Sequence, residues 1–475
     1  MAEIRHVVVL MLENRSFDCM LGRLYPENPD FRGVPAGAFN LYDGKRYPAW
    51  SSGNMLSPDH ARTPHPDPHE AFVHMTAQLF GAGSNGSGEA TMGGFAADYA
   101  TKSARPGDVM HGFSPEQLPV LSTLARSFGV CDDWHASAPN QTWPNRLFLH
   151  TGTADGYVNN SPLHAPFMMK TVFNLLSDNG RDWGVYHHDI PQVATLGRIW
   201  LDLPSHLHEF EEFVRQAQAG ALPHYSFIEP RYFPDLDDKQ MPSDQHPPHD
   251  VRYGERLIAR CYDALRSGPA WKQTLFLILY DEHGGIYDHV APPPAVSPDG
   301  RDQDGFAFNR YGVRVPAVII SPWIPQGSII KRPRSSTYPF DHTSVAATLR
   351  TLFGLMGDSL SEREAVAPHV LDALSLDEPS NDGPPSIPLP SIVAGDAELK
   401  GASQLPVNDH QAALVQMALN LPPSRAQAEA HLQGLQSGTL TRQQFAGTTS
   451  GEALSAARSA LKRFVDEPFS GHWSN

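Results

Sequence analysis

Two apolar runs of strand length each end in a pair of residues whose side chains carry oxygen atoms. The pairs are Glu13-Asn14, directly after residues 7–12, and Asp281-Glu282, directly after residues 274–280. Together they form the oxygen-rich ligand set that hard divalent cations prefer. Each pair alone has a simpler explanation, a strand-to-turn cap for the first and a helix N-cap region for the second. Their occurrence at two strand ends favours a metal site, and a metal-dependent hydrolase is the first hypothesis.

Thr142 lies in residues 136–146 (ASAPNQTWPNR), where the surrounding Pro, Asn and Arg predict a rigid turn. A threonine hydroxyl is a poor nucleophile until its pKa is lowered, which a bound cation can do. The alternative is a surface turn whose hydroxyl makes only a local hydrogen bond.

The chain contains 23 histidines, and most of them must be structural or exposed to solvent. Those that stand out by their polar or rigid context are His69, His187, His188, His246 and His283. Each one singly is more often an ordinary surface or core histidine. As a group they could bind phosphate oxygens or protonate a leaving group.

Five apolar runs end in polar or ionisable residues, as strands of a parallel sheet buried on both faces do. They span residues 7–12, 184–186, 225–228, 274–280 and 317–320. Helical spacing is found between them, in residues 251–267 and 344–353. The pattern predicts an α/β fold with a mostly parallel central sheet, whose ligands bind outside the carboxyl ends of the strands. The Pro-, His- and Gly-rich insertions 57–94 and 234–249 are predicted to be irregular functional loops.

The C-terminal part of the chain has a different character. Residues 379–390 (PSNDGPPSIPLP) predict a linker. Beyond it, apolar residues recur at helical spacing, and Asn408 and Ser424 are candidate N-caps. We therefore predict a catalytic domain over residues 1–378, a Pro-rich linker over 379–395 and a small helical region over 396–475. The sequence identifies no chemistry in this last region.

The composition is that of a globular protein with a formal net charge of −16. This charge argues against nucleic-acid binding and against adhesion to anionic lipid, and it allows at most a transient contact with a membrane surface. No apolar run is long enough to predict a spanning helix. As given, the chain predicts a cytoplasmic protein, or a secreted or periplasmic one whose export signal was removed. The oligomeric state is left open.

Other hydrolase and dehydrogenase signatures are missing from the places where they would matter. The chain has no G-x-S-x-G elbow, and Gly284-Gly285 lacks the rest of a dinucleotide fingerprint. A serine hydrolase and a Rossmann dehydrogenase are therefore disfavoured.

The ordered motifs ENRSFD, NQTWPNR, DQHPPHD and DEHGGIYDHV resemble the phosphoesterase family of bacterial phospholipases C, plant non-specific phospholipases C and related bacterial acid phosphatases. The resemblance covers residues 4–353 and implies a fold similar to that of the alkaline phosphatase superfamily. It also implies that Glu13, Asn14, Asp281 and Glu282 are metal ligands, with Thr142 as the nucleophile at the metal.

The resemblance further implies that His188 and His246 face the phosphoryl group. His69 is carried over from the family's Asp-Pro-x-His loop, although here the histidine directly follows the proline. The expected reaction is a two-step phosphoryl transfer through a phosphothreonine, with His246 as the preferred general acid.

One divalent cation is expected as cofactor. Ca²⁺ is favoured, and Mg²⁺, Mn²⁺ or Zn²⁺ is possible. The expected substrate is a phospholipid phosphodiester such as phosphatidylcholine. Loop residues of the insertion 57–94 and of residues 291–309 are candidates to line an acyl approach, with ordinary loop packing as the alternative. One alternative function is an acid phosphatase acting on small phosphomonoesters, and another is an inactive binding protein that retains the metal.

Overall fold

The structure is a computed structural model and describes residues 3–392, 394–433, 447 and 449–466. Ten strands form within these residues: β1 His6–Leu12, β2 Phe39–Tyr42, β3 Lys45–Pro48, β4 Gly129–Cys131, β5 Trp183–His187, β6 Leu207–Glu209, β7 Tyr225–Ile228, β8 Thr274–Tyr280, β9 Ala317–Ile320 and β10 Ser328–Ile330.

Eight strands form one sheet in the order β10-β4-β9-β8-β1-β7-β5-β6, and β2 pairs with β3 in a separate hairpin. The large sheet is parallel except at β9, which runs antiparallel to both of its neighbours. All five predicted strands are present, each within one residue of its predicted bounds. The predicted α/β fold with a mostly parallel sheet is confirmed. The other five strands were not predicted from the sequence: the hairpin strands β2 and β3, and β4, β6 and β10, which are only three residues long.

Sixteen helices accompany the strands in the described part of the chain: α1 Phe17–Met20, α2 Pro58–Ala61, α3 Phe72–Phe80, α4 Phe95–Tyr99, α5 Pro119–Ser127, α6 Thr142–Thr151, α7 Val172–Asp178, α8 Leu203–His206, α9 Phe210–Ala219, α10 Val251–Ser267, α11 Thr343–Phe353, α12 Glu362–Val366, α13 Asp396–Ser403, α14 Asp409–Leu419, α15 Arg425–Leu432 and α16 Ser450–Asp466. The predicted helices 251–267 and 344–353 correspond to α10 and α11. Asn408 and Ser424 are the N-caps of α14 and α15, and both side chains accept a backbone N–H three residues on.

The insertion 57–94 is more regular than predicted, because it contains the helices α2 and α3. Met75 and Leu79, four residues apart on α3, are fully buried. In the loop 291–309, Phe306 and Phe308 are buried as well and pack on each other with ring centroids 5.0 Å apart. Leu79 belongs to one small apolar cluster of the loops, and Phe306 and Phe308 belong to another, as the packing alternative expects. The lining of an acyl approach by these loops stays a prediction.

Helices α14 and α16 share one apolar core with the sheet. Leu414 and Ala457 are fully buried in this core, and Arg458 of α16 makes an ion pair with Asp235 in the insertion 234–249. The C-terminal helices are therefore packed against the rest of the molecule, and the domain boundaries at residues 379–395 stay a prediction. Among the described residues, no helix combines the length and the apolar character needed to cross a membrane.

Candidate active site and metal centre

The parallel pairing of β1 with β8 brings the two predicted ligand pairs together. Leu12 is opposite Tyr280 in the register, so the residues that follow each strand emerge side by side. The N–H of Asn14 donates to Oδ1 of Asp281 at 2.9 Å, which joins the two strand ends directly. Glu13 and Asp281 are both fully buried. The predicted meeting of the pairs at one edge of the sheet is what the structure shows.

Asn14 is held in a left-handed backbone conformation with φ of 48°, which turns the chain sharply after β1. Its side-chain amide donates to Oε1 of Glu282 at 2.9 Å and to Oε1 of Glu70 at 2.6 Å. Gly284 lies against this turn, where a Cβ would be 2.2 Å from the carbonyl oxygen of Asn14. Only glycine permits this approach, so the first glycine of DEHGG, Gly284, is required for packing around Asn14.

Thr142 is the first residue of helix α6, whereas the sequence predicted a turn without regular structure. Its Oγ1 lies 3.4 Å from both Oε2 of Glu13 and Oδ1 of Asn14. Pro144 does not prevent the helix, because the N–H groups of the first turn have no partner within the helix. The structure thus adds a positive helix terminus beside the hydroxyl, which favours developing negative charge there.

Arg146 follows Thr142 by one helical turn and is fully buried. Its guanidinium donates to Oε1 of Glu13, and its Nε lies 3.6 Å from Oδ2 of Asp281. Burial would lower the pKa of Arg146, but the neighbouring carboxylate of Glu13 raises it instead. Sequence reasoning did not single out this residue. The four-residue spacing from Thr142 within NQTWPNR was the available signal.

The site contains more buried carboxyl groups than Arg146 alone can neutralise. Burial raises the pKa of Glu13 and of Glu282 well above the usual value for glutamate. Oδ2 of Asp281 is buried without a hydrogen-bond partner among the described residues. These desolvated oxygens, together with the amide oxygen of Asn14, fit a divalent cation. The donor set contains no thiolate, in agreement with a hard ion.

His246 is buried beside this oxygen cluster. Its Nδ1 lies 2.6 Å from the carbonyl oxygen of Pro247, and its Nε2 lies 3.5 Å from Oε1 of Glu70. Burial alone would lower the pKa of His246, but the carboxylates of Asp67 and Glu70 raise it to about 10. Asp67, Glu70 and His246 also have ligand atoms within 4.8 Å of one another, which is a candidate metal-binding group at the edge of the site.

Glu70 is a site residue that sequence reasoning missed, although it directly follows the predicted His69. Burial raises the pKa of Glu70 to about 8. His69 lies elsewhere: its Nδ1 is 3.6 Å from Oδ2 of Asp98, and its ring stacks on His74 at 3.9 Å. The structure therefore brings Glu70, and not the His69 ring, to Asn14. The presence of a second ionisable residue in the Asp-Pro-His-Glu loop was the signal that could have found it.

His188 lies apart from the predicted ligand pairs. Its Nδ1 donates to the carbonyl oxygen of Glu229 at 2.9 Å, and its ring stacks on Phe210 at 4.4 Å. It lines a cavity of about 1220 Å³ between α9, α10 and the Pro-rich segment. Burial, assisted by the positive charge of Arg231, lowers the pKa of His188 to about 3. Among the described residues, no hydrogen bond or ion pair joins it to the ligand pairs.

His342 contacts the backbone of the second ligand pair. Its Nε2 lies 2.6 Å from the backbone carbonyl of Asp281, and the indole N–H of Trp134 lies 3.4 Å from its Nδ1. Burial lowers the pKa of His342 to about 4, so the ring is neutral near pH 7. The imidazole therefore fixes the backbone of the second ligand pair without adding charge.

Comparisons with known proteins identify the family to which this chain is related. The model of the phosphoesterase family matches residues 4–356. Non-specific phospholipase C1 of Arabidopsis thaliana is 38% identical over 439 residues, covering 88% of this chain and 79% of the relative. Non-hemolytic phospholipase C of Pseudomonas aeruginosa is 27% identical over 487 residues, covering 89% and 65%. A solved structure of an alkaline phosphatase superfamily protein from Vibrio parahaemolyticus covers 54% of this chain and 63% of its own, with 14% identity and a TM-score of 0.34.

Proposed function

The chain belongs to the phosphoesterase family and is a hydrolase of phosphoric esters, and from this premise we propose that it is a metal-dependent phospholipase C. Its substrates would be phospholipid phosphodiesters of the phosphatidylcholine type, cleaved through a phosphothreonine at Thr142. The observation that carries the proposal is the position of the Thr142 hydroxyl, 3.4 Å from the side-chain oxygens of Glu13 and Asn14. A hydroxyl placed among buried ligand oxygens at a helix N-terminus is suited to nucleophilic attack.

In this proposal Glu13, Asn14, Asp281 and Glu282 hold one divalent cation, with Thr142 beside it. Ca²⁺ is favoured because the donors are oxygens, and Mg²⁺, Mn²⁺ or Zn²⁺ is possible. When bound, the cation would lower the pKa of the hydroxyl and polarise a phosphoryl oxygen. Its positive charge would also favour the ionised form of Glu13 and Glu282, whose pKa burial raises in the metal-free protein.

The residues of the chain supply the remaining steps. The hydroxyl of Thr142 releases its proton to solvent, its Oγ1 forms a bond to phosphorus, and the bond between phosphorus and the diacylglycerol oxygen breaks. Protonated His246 donates a proton to that oxygen, which leaves as diacylglycerol. Water then cleaves the phosphothreonine: its oxygen bonds to phosphorus in the released phosphocholine, and one of its protons returns to Oγ1 of Thr142. His246 takes up a proton from solvent before the next cycle. Arg146 keeps Glu13 oriented in both steps. His69 and His188 rank below His246 as candidates for the acid. Their rings contact Asp98 and Phe210, respectively, and not the ligand pairs.

Two features favour phosphodiesters of zwitterionic lipids over small monoesters. The relative with 38% identity is named a phospholipase C. The net charge of −16 disfavours strongly anionic lipid surfaces and leaves head groups such as phosphocholine acceptable. An acid phosphatase acting on monoesters is the second candidate, since the same nucleophile and ligand pairs would serve either ester.

The test compares phosphatidylcholine with p-nitrophenyl phosphate on protein purified without chelator. We expect release of diacylglycerol and phosphocholine with a kcat/KM above that for p-nitrophenyl phosphate. The reverse ranking would assign the protein to the acid phosphatases, and turnover of neither ester would indicate an inactive binding protein. Exhaustive dialysis against chelator should abolish activity, and added Ca²⁺ should restore it. Full activity of the metal-free protein would contradict metal dependence.

A further inference from the structure

Helix α14 of the C-terminal region places a histidine against the candidate metal centre. His410, the second residue of α14, is 2% exposed. Its Nε2 lies 4.0 Å from Oε1 of Glu13. Glu13 is the carboxylate that also faces the Thr142 hydroxyl. A region in which the sequence revealed no chemistry therefore reaches the residue around which the site is built.

The imidazole of His410 has no hydrogen-bond partner among the described residues. Both ring nitrogens are buried, and neither makes a hydrogen bond to any described residue. The ring packs edge-to-face on Tyr232, with centroids 5.0 Å apart. Native proteins rarely leave buried polar groups unpaired, because the lost hydration is not replaced. Among the described residues, Glu13 is the one whose carboxylate lies within 4.0 Å of a ring nitrogen of His410.

Hydrogen bonds of neighbouring residues hold helix α14 beside Glu13. The side-chain amide of Gln411 donates to the carbonyl oxygen of Tyr232 at 2.7 Å, and Asn408 and Gln411 form a capping box at the start of the helix. The hydroxyl of Tyr232 donates to Glu229 at 2.9 Å. The guanidinium of Arg146 lies 5.9 Å from the same Tyr232 ring. His410 is thus presented by a helix that is docked beside the Glu13–Arg146 pair.

We propose that His410 is a positioning residue of the metal centre, which donates an N–H to Oε1 of Glu13 and fixes that carboxylate for the cation. A movement of about 1 Å would bring the pair to hydrogen-bond distance. An imidazole carries at least one N–H in either charge state, so the role does not depend on its titration. Partners that orient ligating carboxylates are a usual part of metal sites. The inference rests on the proposed function, because it treats Glu13 as a cation ligand.

The test measures cation affinity directly. Metal-free full-length protein is titrated calorimetrically with Ca²⁺, and the parent is compared with His410→Ala and His410→Gln. Loss of an orienting partner should weaken Ca²⁺ binding by about 10- to 100-fold. The glutamine variant should recover part of this affinity, because its amide can supply an N–H to the same oxygen. Thermal unfolding of each metal-free variant shows whether the fold is retained.

His111 offers a matched control. It is also 2% exposed, and both of its ring nitrogens also lack hydrogen-bond partners among the described residues. Its ring packs on Trp50 and Phe113, neither of which is a predicted ligand. His111→Ala should bind Ca²⁺ like the parent. An unchanged affinity in His410→Ala, or an equal loss in His111→Ala, would overturn the positioning role alone. A parent protein that binds no divalent cation would overturn the proposed metal dependence together with this inference.

Discussion

Thr142 and Glu13 meet where helix α6 abuts the end of strand β1, with the threonine Oγ1 3.4 Å from the glutamate Oε2. The other carboxylate oxygen of Glu13 accepts a hydrogen bond from Arg146, one turn further along the same helix. One buried helix therefore supplies the hydroxyl and also orients the carboxylate beside it. Any change in the position of α6 alters both groups together, so the two can be tested separately only by substitution.

Replacement of Thr142 by alanine should lower kcat by roughly a millionfold, because the variant cannot form the covalent intermediate. Thr142→Ser should keep measurable activity, since it retains a hydroxyl at the same atom. Thr151→Ala is the matched control. Thr151 is the last residue of α6 and equally buried, and its hydroxyl donates only to backbone carbonyls. Steady-state kinetics, with thermal unfolding to monitor the fold, make the comparison.

The Thr151→Ala variant should keep a kcat close to that of the parent. If Thr142→Ala remained within about tenfold of the parent, the phosphothreonine mechanism would have to be abandoned. Capture of labelled phosphocholine on the serine variant, and not on the alanine variant, would support the covalent step independently.

Arg146→Ala should reduce the unfolding free energy of the metal-free protein by about 3–5 kcal/mol, since it leaves Glu13 buried without its partner. Arg314→Ala is the matched control, because it also removes a buried arginine from an ion pair. Arg314 is also fully buried, but it pairs with Asp18 and Asp288 away from the ligand pairs. Added Ca²⁺ should raise the melting temperature of Arg146→Ala by more than that of the parent, because the cation replaces the missing positive charge. Differential scanning calorimetry with and without Ca²⁺ measures this.

In Arg314→Ala the rise with Ca²⁺ should equal that of the parent. An equal rise in all three proteins would mean that Arg146 and the cation do not share the same carboxylates. The ligand set would then need revision.

The main strands and the ligand pairs could be predicted from sequence, because buried parallel strands are continuous apolar runs and their ends are marked by ionisable residues. The runs before Glu13 and Asp281 needed no tertiary information. The meeting of the two ends followed from the general placement of ligands in parallel sheets. The three-residue strands β4, β6 and β10 escaped detection because so few residues carry no periodic signal.

Other parts of the site depend on packing that a local pattern does not reveal. The prolines and asparagine around Thr142 predicted a turn, but burial against the sheet end stabilises a helix there. Glu70 and His69 are adjacent in sequence, and only the fold decides which of them faces Asn14. His410 lies about 400 residues from Glu13 in the chain, so only the fold brings α14 to the sheet end.

The metal-free protein should lose stability as the pH rises from about 7 to 9. Burial raises the pKa of Glu70 to about 8, and neighbouring carboxylates raise the pKa of His246 to about 10. Both groups hold a proton in the folded protein that the unfolded chain has released. Their stabilisation is therefore complete below the unfolded pKa and is lost as the pH rises through the folded pKa. Histidines whose pKa is lowered by folding, such as His111, are neutral in both states above pH 7 and do not oppose this trend.

Melting temperatures of chelator-treated protein at pH 7 and pH 9 test this expectation. Glu70→Gln should show a smaller decrease than the parent, because it removes one titrating group and weakens the field that holds the proton on His246. A melting temperature that rose over this range would contradict the raised pKa of both groups. Saturating Ca²⁺ should reduce the decrease in the parent, since cation binding favours ionised carboxylates.

His246 should protonate the leaving group, so the effect of its replacement on kcat should depend on the ester. Phosphatidylcholine releases an alkoxide that requires a proton, whereas p-nitrophenylphosphorylcholine releases a phenolate that departs without one. His246→Ala should therefore lose about 10²- to 10⁴-fold in kcat on phosphatidylcholine and much less on the p-nitrophenyl ester. His249→Ala is the neighbouring control: its ring lies 6.1 Å from that of His246, and its Nδ1 is bonded to Asp244. It should affect both esters alike. Equal losses of kcat on the two esters for His246→Ala would limit that residue to binding the phosphoryl group. The alanine variants of His69 and His188 would then be compared on the same two esters. The one with the larger loss on phosphatidylcholine would identify the acid.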